Sequence, residues 1–146
     1  MELNPYAKVP VLVDGDAVIY ESAIIDEYLE EKFSQVPLMP KELFPRAQVR
    51  IWIDFCNSRL QAAGSEVVHG SDPQKAREQL RKHLQTLDRQ MNGRDYIAGD
   101  YSLADITFIP FFTRQQRYGV VIDDTLPNLK QWVERLLARP AVRSTL

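Results

Sequence analysis

The sequence predicts a mostly α-helical protein, in which a small β-β-α unit is followed by an all-helical remainder. Three observations predict it. Apolar residues alternate on either side of Asp14-Gly15-Asp16, then switch to a helical period from Ser22 onward. The stretch VPLMPKELFP, Val36 to Pro45, carries three prolines and no period. Beyond it, apolar residues recur every three or four positions. The chain therefore divides into residues 1–35, a linker 36–45, and a helical part 46–146.

Taken in order, Val9 to Leu12 and Val18 to Tyr20 are β-branched and aromatic runs that flank Asp14-Gly15-Asp16, a hairpin signal. From Ser22 a helix is expected with Ile24, Ile25, Tyr28 and Leu29 inward and Asp26, Glu27, Glu30 and Glu31 toward water. Past the linker, Val49, Trp52, Ile53, Cys56 and Leu60 set a long helix from about Leu43 to about His69. Gly70-Ser71-Asp72-Pro73 breaks it, with Ser71 or Asp72 as the next cap and Pro73 in the first turn. Leu80, Leu84, Leu87 and Met91 form one face of that next helix, which ends at Asn92-Gly93. Ser102 starts another, and Leu129, Trp132, Val133, Leu136 and Leu137 mark the last before Arg139-Pro140.

Composition narrows the class of function. The net charge of −2 leaves no surplus of cations to neutralise phosphates, so no nucleic-acid partner is expected. A single cysteine excludes an internal disulfide and suits a reducing, cytoplasmic setting. No apolar run approaches the ~20 residues that span a bilayer, so no membrane partner is expected. His69 and His83 lack partners at metal-ligand spacing, so no metal is expected.

YSLADITF has the spacing of a capping box. Ser102 can accept from the amides of the following turn while Asp105 reaches back to the Ser102 amide, and Tyr101 and Ile106 stand where a hydrophobic staple would sit. On physics alone it is a helix-start device.

Together, KVPVLVDGDAVIYESAIIDEYLEEKF, the linker with LMP, RAQVRIWIDF and YIAGDYSLADITFIPFF resemble the glutathione transferase family over essentially the whole chain, Leu3 to Leu146. The first segment resembles the second half of the family's thioredoxin-like domain, and the rest its all-helical domain. The resemblance implies glutathione as ligand or substrate, a small electrophile as its partner in a conjugation or thiol transfer, and a homodimer.

It also implies a site. Pro10 is expected to be cis, letting the Val9 amide and carbonyl pair with the cysteinyl unit of glutathione like a rung of an antiparallel ladder. Glu21 would accept from the ligand's α-ammonium, and Ser22 would give its hydroxyl and amide to the γ-glutamyl carboxylate at a helix start. Lys8 matches the position that holds the glycine carboxylate in some classes. Each has a plainer role as well: Pro10 as a trans proline at a strand start, Ser22 as a cap, Lys8 and Glu21 as solvated charges.

The family's thiol-activating Tyr, Ser or Cys follows its first strand. The chain begins at MELNPYAKVP, whose ELNP resembles the lead-in to the third strand, so no residue of 1–146 matches that position. The chain reads as a truncated member with no assigned catalytic residue, and an interaction module without catalysis is the alternative. Cys56, on an apolar face, is expected to be a buried inert thiol. Tyr6 is the other hydroxyl near the site in sequence. Arg46, Arg50 and Tyr118 are candidates for a second-substrate pocket, with solvated helix arginines as the alternative. The strand from Val9 to Val13 would present an open edge, through which the chain is expected to dimerise or swap segments.

Overall fold

A computed structural model describes residues 3–145. β1 (Val11–Asp14) and β2 (Ala17–Tyr20) pair antiparallel, with Val11 opposite Tyr20 and Asp14 opposite Ala17. The strand begins two residues later than the sequence pattern suggested, because Pro10 has no N–H to give to a ladder. Gly15, at φ 59°, supplies the left-handed turn between the strands. Strand alternation puts Leu12, Asp14, Ala17 and Ile19 on one face and Val11, Val13, Val18 and Tyr20 on the other.

α1 (Ser22–Lys32) covers the first of these faces, where the Tyr28 hydroxyl donates to Asp14 Oδ2 at 2.6 Å and Lys32 Nζ pairs with the same oxygen. Ile25 is buried, whereas Ile24, expected inward, is exposed. The stripe of acids expected to face water is largely engaged. Glu30 accepts from the Leu38 and Met39 amides at 2.9 Å and so holds the linker against α1. Glu27 takes a bidentate grip from Arg50 at 2.9 and 2.8 Å, tying α1 to α2 (Leu43–Asp54). α2 starts inside the segment expected as linker, with Pro45 in its first turn, where a missing N–H costs nothing.

The rod expected from Leu43 to His69 is continuous but not uniform. Between α2 and α3 (Ala62–His69) lies a π-helical stretch, Phe55–Gln61. Within it the Ser58 hydroxyl donates to the Asp54 carbonyl at 2.7 Å, competing with the backbone for that acceptor. α4 (Pro73–Met91) starts on Asp72, whose carboxylate accepts from the Lys75 amide at 3.0 Å, with Pro73 at the first helical position.

α5 (Leu103–Phe112) is buried on nearly all sides and is the centre of the core. Phe108 and Phe112 meet the Trp132 ring of α6 (Pro127–Leu137) edge-on, at centroid distances of 5.1 and 5.4 Å. A short turn, α7 (Pro140–Arg143), follows. The linker is tied directly to this core, since the Leu38 carbonyl accepts from the Leu103 amide at 3.2 Å.

The capping box is present. Ser102 N donates to Asp105 Oδ2 at 3.0 Å, the Ser102 hydroxyl lies 3.2 Å from the same oxygen, and the reciprocal contact from the Asp105 amide is the looser arm. Tyr101 and Ile106, the staple pair, are both packed against the core.

Candidate functional site

Continuing the hairpin register past Val11 and Tyr20 sets Val9–Pro10 beside Glu21–Ser22, at the end of the sheet away from the turn. Lys8, Val9, Pro10, Glu21 and Ser22 are all exposed, and Val9 is 91% accessible. The Val9–Pro10 bond is cis. Among the described residues, neither the amide nor the carbonyl of Val9 has a hydrogen-bond partner.

Glu21 is the residue before α1 and sits at φ 71°, ψ 114°. A non-glycine residue there stores roughly 1–3 kcal/mol of backbone strain, a cost that persists chiefly where surrounding structure holds a functional geometry. The Glu21 carbonyl accepts from the Ile24 and Ile25 amides at 3.0 and 2.9 Å. The amides of Ser22 and Ala23, the Ser22 hydroxyl and the Glu21 carboxylate have no partners among the described residues. Ser22 is therefore not a cap: it is the first helical residue, and its polar groups stand free at a helix start, where an anion is favoured. One turn further, Asp26 is half-buried, and burial pushes its carboxyl up from the ordinary carboxylate range.

The lead-in is organised by a residue that the sequence pattern did not single out as functional. Asn4 is 5% exposed, donates Nδ2 to the Lys8 carbonyl at 2.8 Å, and accepts the Tyr6 amide on Oδ1 at 2.9 Å. Its own carbonyl accepts from Ala7 N at 3.0 Å, with Ala7 at φ 51°. The signal was the Asn4-Pro5 dipeptide, a turn former. Tyr6 is 67% exposed and lies edge-on to Tyr20, at a centroid distance of 6.3 Å.

The remaining candidates are not gathered with these. Cys56 is fully buried, its Sγ 3.5 Å from the Thr107 carbonyl, and burial pushes the thiol up to about 12. Arg50 is committed to Glu27, and Arg46 reaches Glu31 only at 3.9 Å. Tyr118 stacks on Phe111 at 4.9 Å and fills the space over Gly64, where a Cβ would lie 3.1 Å from its ring. None of these three lines the cavities of about 360, 380 and 690 Å³ found among the described residues. Among the same residues, no cluster of three His, Cys, Asp or Glu is arranged to hold a metal ion, and no helix is long and apolar enough to cross a membrane.

Comparison with known proteins gives one family. The glutathione S-transferase C-terminal domain matches residues 29–140, and the glutathione S-transferase N-terminal domain matches residues 1–37. Glutathione S-transferase U19 of Arabidopsis thaliana is 30% identical, with 100% of this chain aligned to 71% of that protein. Glutathione S-transferase 3 of Glycine max is 28% identical over 100% of this chain and 71% of its own length. Among solved structures, a class Gtt2 glutathione S-transferase of Vibrio parahaemolyticus superposes with a TM-score of 0.88 at 28% identity, over 99% of this chain and 74% of that one. Ure2p in complex with glutathione shares the fold, with a TM-score of 0.90 at 23% identity over 99% of this chain and 77% of that one.

Proposed function

The chain belongs to the glutathione S-transferase family, and from that premise we propose that it binds glutathione at the edge formed by Val9–Pro10 and the start of α1. The observation that carries this reading is the cluster of unpaired polar groups there: both backbone groups of Val9, the Glu21 carboxylate, and the Ser22 hydroxyl and amide. Their chemistry complements a charged tripeptide. Val9 offers one ladder rung to the cysteinyl unit. Glu21 accepts from the α-ammonium, while Ser22 and the helix-start amides receive the γ-glutamyl carboxylate. Lys8, exposed and without an ion-pair partner among the described residues, takes the glycine carboxylate.

In this reading the bound thiol is transferred to a small electrophile. Tyr6 is the chain's own candidate to donate a hydroxyl to the thiolate, because it is exposed and packs on Tyr20, the residue before Glu21. The chain is read as a homodimer. The sheet face bearing Val13 and Val18 is open, at 53% and 41% exposure, beside a β1 edge that pairs with no strand among the described residues. A strictly monomeric mass in light scattering at micromolar concentration would remove the dimer.

One observation favours a second reading, glutathione binding without turnover. The single thiol is buried and held protonated, so the chain supplies no thiolate nucleophile of its own. Calorimetric titration with glutathione, paired with a conjugation assay on a small aromatic electrophile, separates the two. Binding with turnover that falls in Tyr6→Phe supports the transferase, and binding with no turnover supports the second reading. No saturable binding overturns both.

A further inference from the structure

The chain holds four asparagines, and the structure leaves one of them chemically open. An asparagine modifies itself when the backbone nitrogen of the next residue attacks its side-chain carbonyl carbon. The attack needs an N–H on that next residue, no side chain crowding the nitrogen, and an amide that is not held in a hydrogen bond.

Three of the four are blocked. Asn4 precedes Pro5, which has no N–H. Asn57 lies inside the π-helical stretch Phe55–Gln61, where backbone amides are spent on helical bonds, and its Oδ1 accepts from Gln61 Nε2 at 3.1 Å. At Asn128, the Asp88 carboxylate holds the following Leu129 amide at 3.0 Å and the Asn128 Nδ2 at 3.3 Å.

Asn92 differs on each count. It follows the last residue of α4, and both it and Gly93 are exposed. Asn92 at φ −59°, ψ 117° and Gly93 at φ 69° have the form of a type II turn. The Arg94 amide closes the turn on the Met91 carbonyl at 3.0 Å. The second central position of such a turn calls for glycine, because a side chain is strained at positive φ. The residue that stops the helix therefore also leaves the nitrogen uncrowded, and a Cβ built on Gly93 would meet nothing within 4 Å. Among the described residues, neither the Gly93 N–H nor the Asn92 side-chain amide has a hydrogen-bond partner. Ring closure requires rotation about the Asn92 Cα–C bond, against the Arg94–Met91 bond that spans the turn.

We propose that Asn92 is a self-modification site, where the folded chain converts its own asparagine to isoaspartate and aspartate. The Gly93 nitrogen bonds to Asn92 Cγ and gives up its proton, the Cγ–Nδ2 bond breaks, and ammonia leaves. Water then opens the succinimide. Cleavage at the former backbone carbonyl gives isoaspartate, and cleavage at Cγ gives aspartate. Either product sets a carboxylate at the end of α4, where the helix carbonyls already gather negative charge. Isoaspartate also lengthens the backbone between α4 and Ile97, whose amide Asp105 holds at 3.1 Å. The modified chain is therefore less stable than the fresh one. The site shares no residue with the Val9–Ser22 edge and does not depend on the glutathione reading.

The test incubates the folded chain in mildly alkaline buffer, then follows each asparagine-bearing tryptic peptide by mass spectrometry against an unincubated sample. The peptide 90–94 is expected to gain the mass of an amide-to-acid exchange before those that hold Asn4, Asn57 or Asn128. Isoaspartate should be its main product. A free peptide of residues 89–94 in the same buffer is the reference for an unconstrained Asn-Gly pair. Asn92→Gln should show no change in that peptide and keep its melting temperature, while the melting temperature of the parent falls. Four results would each overturn the assignment: an unmodified Asn92 while the free peptide converts, earlier change at another asparagine, aspartate as the sole product, or an equal fall in melting temperature in Asn92→Gln.

Discussion

Trp132 Nε1 donates to Asp105 Oδ1 at 2.9 Å, both residues being fully buried. The same carboxylate accepts from Ile97 N at 3.1 Å and Ser102 N at 3.0 Å, so one side chain joins the start of α5, the segment before it and α6. Burial pushes this carboxyl up from the ordinary range, and the donors around it pull the other way. Asp105→Ala would strand three buried N–H donors, each worth about 1–3 kcal/mol unsatisfied, so a loss of about 3–5 kcal/mol or failure to fold is expected. Ser102→Ala should cost only about 1 kcal/mol. Urea denaturation of the two variants checks the order, and equal losses would contradict the keystone role of Asp105.

The Glu27–Arg50 pair makes stability pH-dependent in a defined direction. The hydrogen bond from Arg50 holds the Glu27 carboxyl below its usual range. A depressed folded value means the contribution is complete above about pH 4.3, the ordinary glutamate value, and is lost as pH falls through the folded one. Arg50 is 52% and Glu27 29% exposed, so solvent limits the pair to about 0.2–1 kcal/mol. Glu27→Gln should be less stable than the parent at pH 7 and converge with it at acid pH. A difference that persists unchanged at pH 3 would show that the charge is not the cause.

Cys56 should not react with a thiol reagent at pH 8 while the chain is folded. Its thiol is fully buried and pushed up to about 12, so the thiolate fraction is negligible. Labelling should appear only as denaturant unfolds the chain, with the same midpoint as circular dichroism. Rapid labelling in native buffer would refute the burial.

The sequence made much of this legible and hid the rest for physical reasons. The hairpin, the helix order, the Ser102–Asp105 box and the burial of Cys56 all follow from local period and spacing, which short-range sterics and caps decide. Glu27 and Glu30 read as solvated because a helical wheel shows one helix, not the α2 arginine or the linker amides folded against it. The π-helical stretch keeps the apolar spacing of an α-helix, so Phe55–Gln61 left no mark in the pattern. At the candidate site, Val9, Pro10, Glu21 and Ser22 were found through a family resemblance. Asn4 was missed although the Asn4-Pro5 dipeptide marks a turn, because its bonds to Tyr6 and Lys8 are polar and local and leave no trace in a hydrophobic period.

Asn4 positions the lead-in without belonging to the proposed contact set. Asn4→Ala removes the bond to the Lys8 carbonyl and loosens the approach to Val9. Glutathione affinity should fall several-fold, while the melting temperature moves by no more than a few degrees, since the turn lies outside the helical core. A large loss of melting temperature with unchanged affinity would reverse that assignment.

The central claim is that the free groups around Val9, Glu21 and Ser22 hold glutathione, and calorimetric titration of the parent chain beside Ser22→Ala tests it most directly. Because Ser22 caps nothing, its loss should leave the fold intact and weaken binding by about 1.5–3 kcal/mol, the scale of a hydrogen bond to a charged group. Equal affinity in the two proteins, or no heat of binding in the parent, would contradict it.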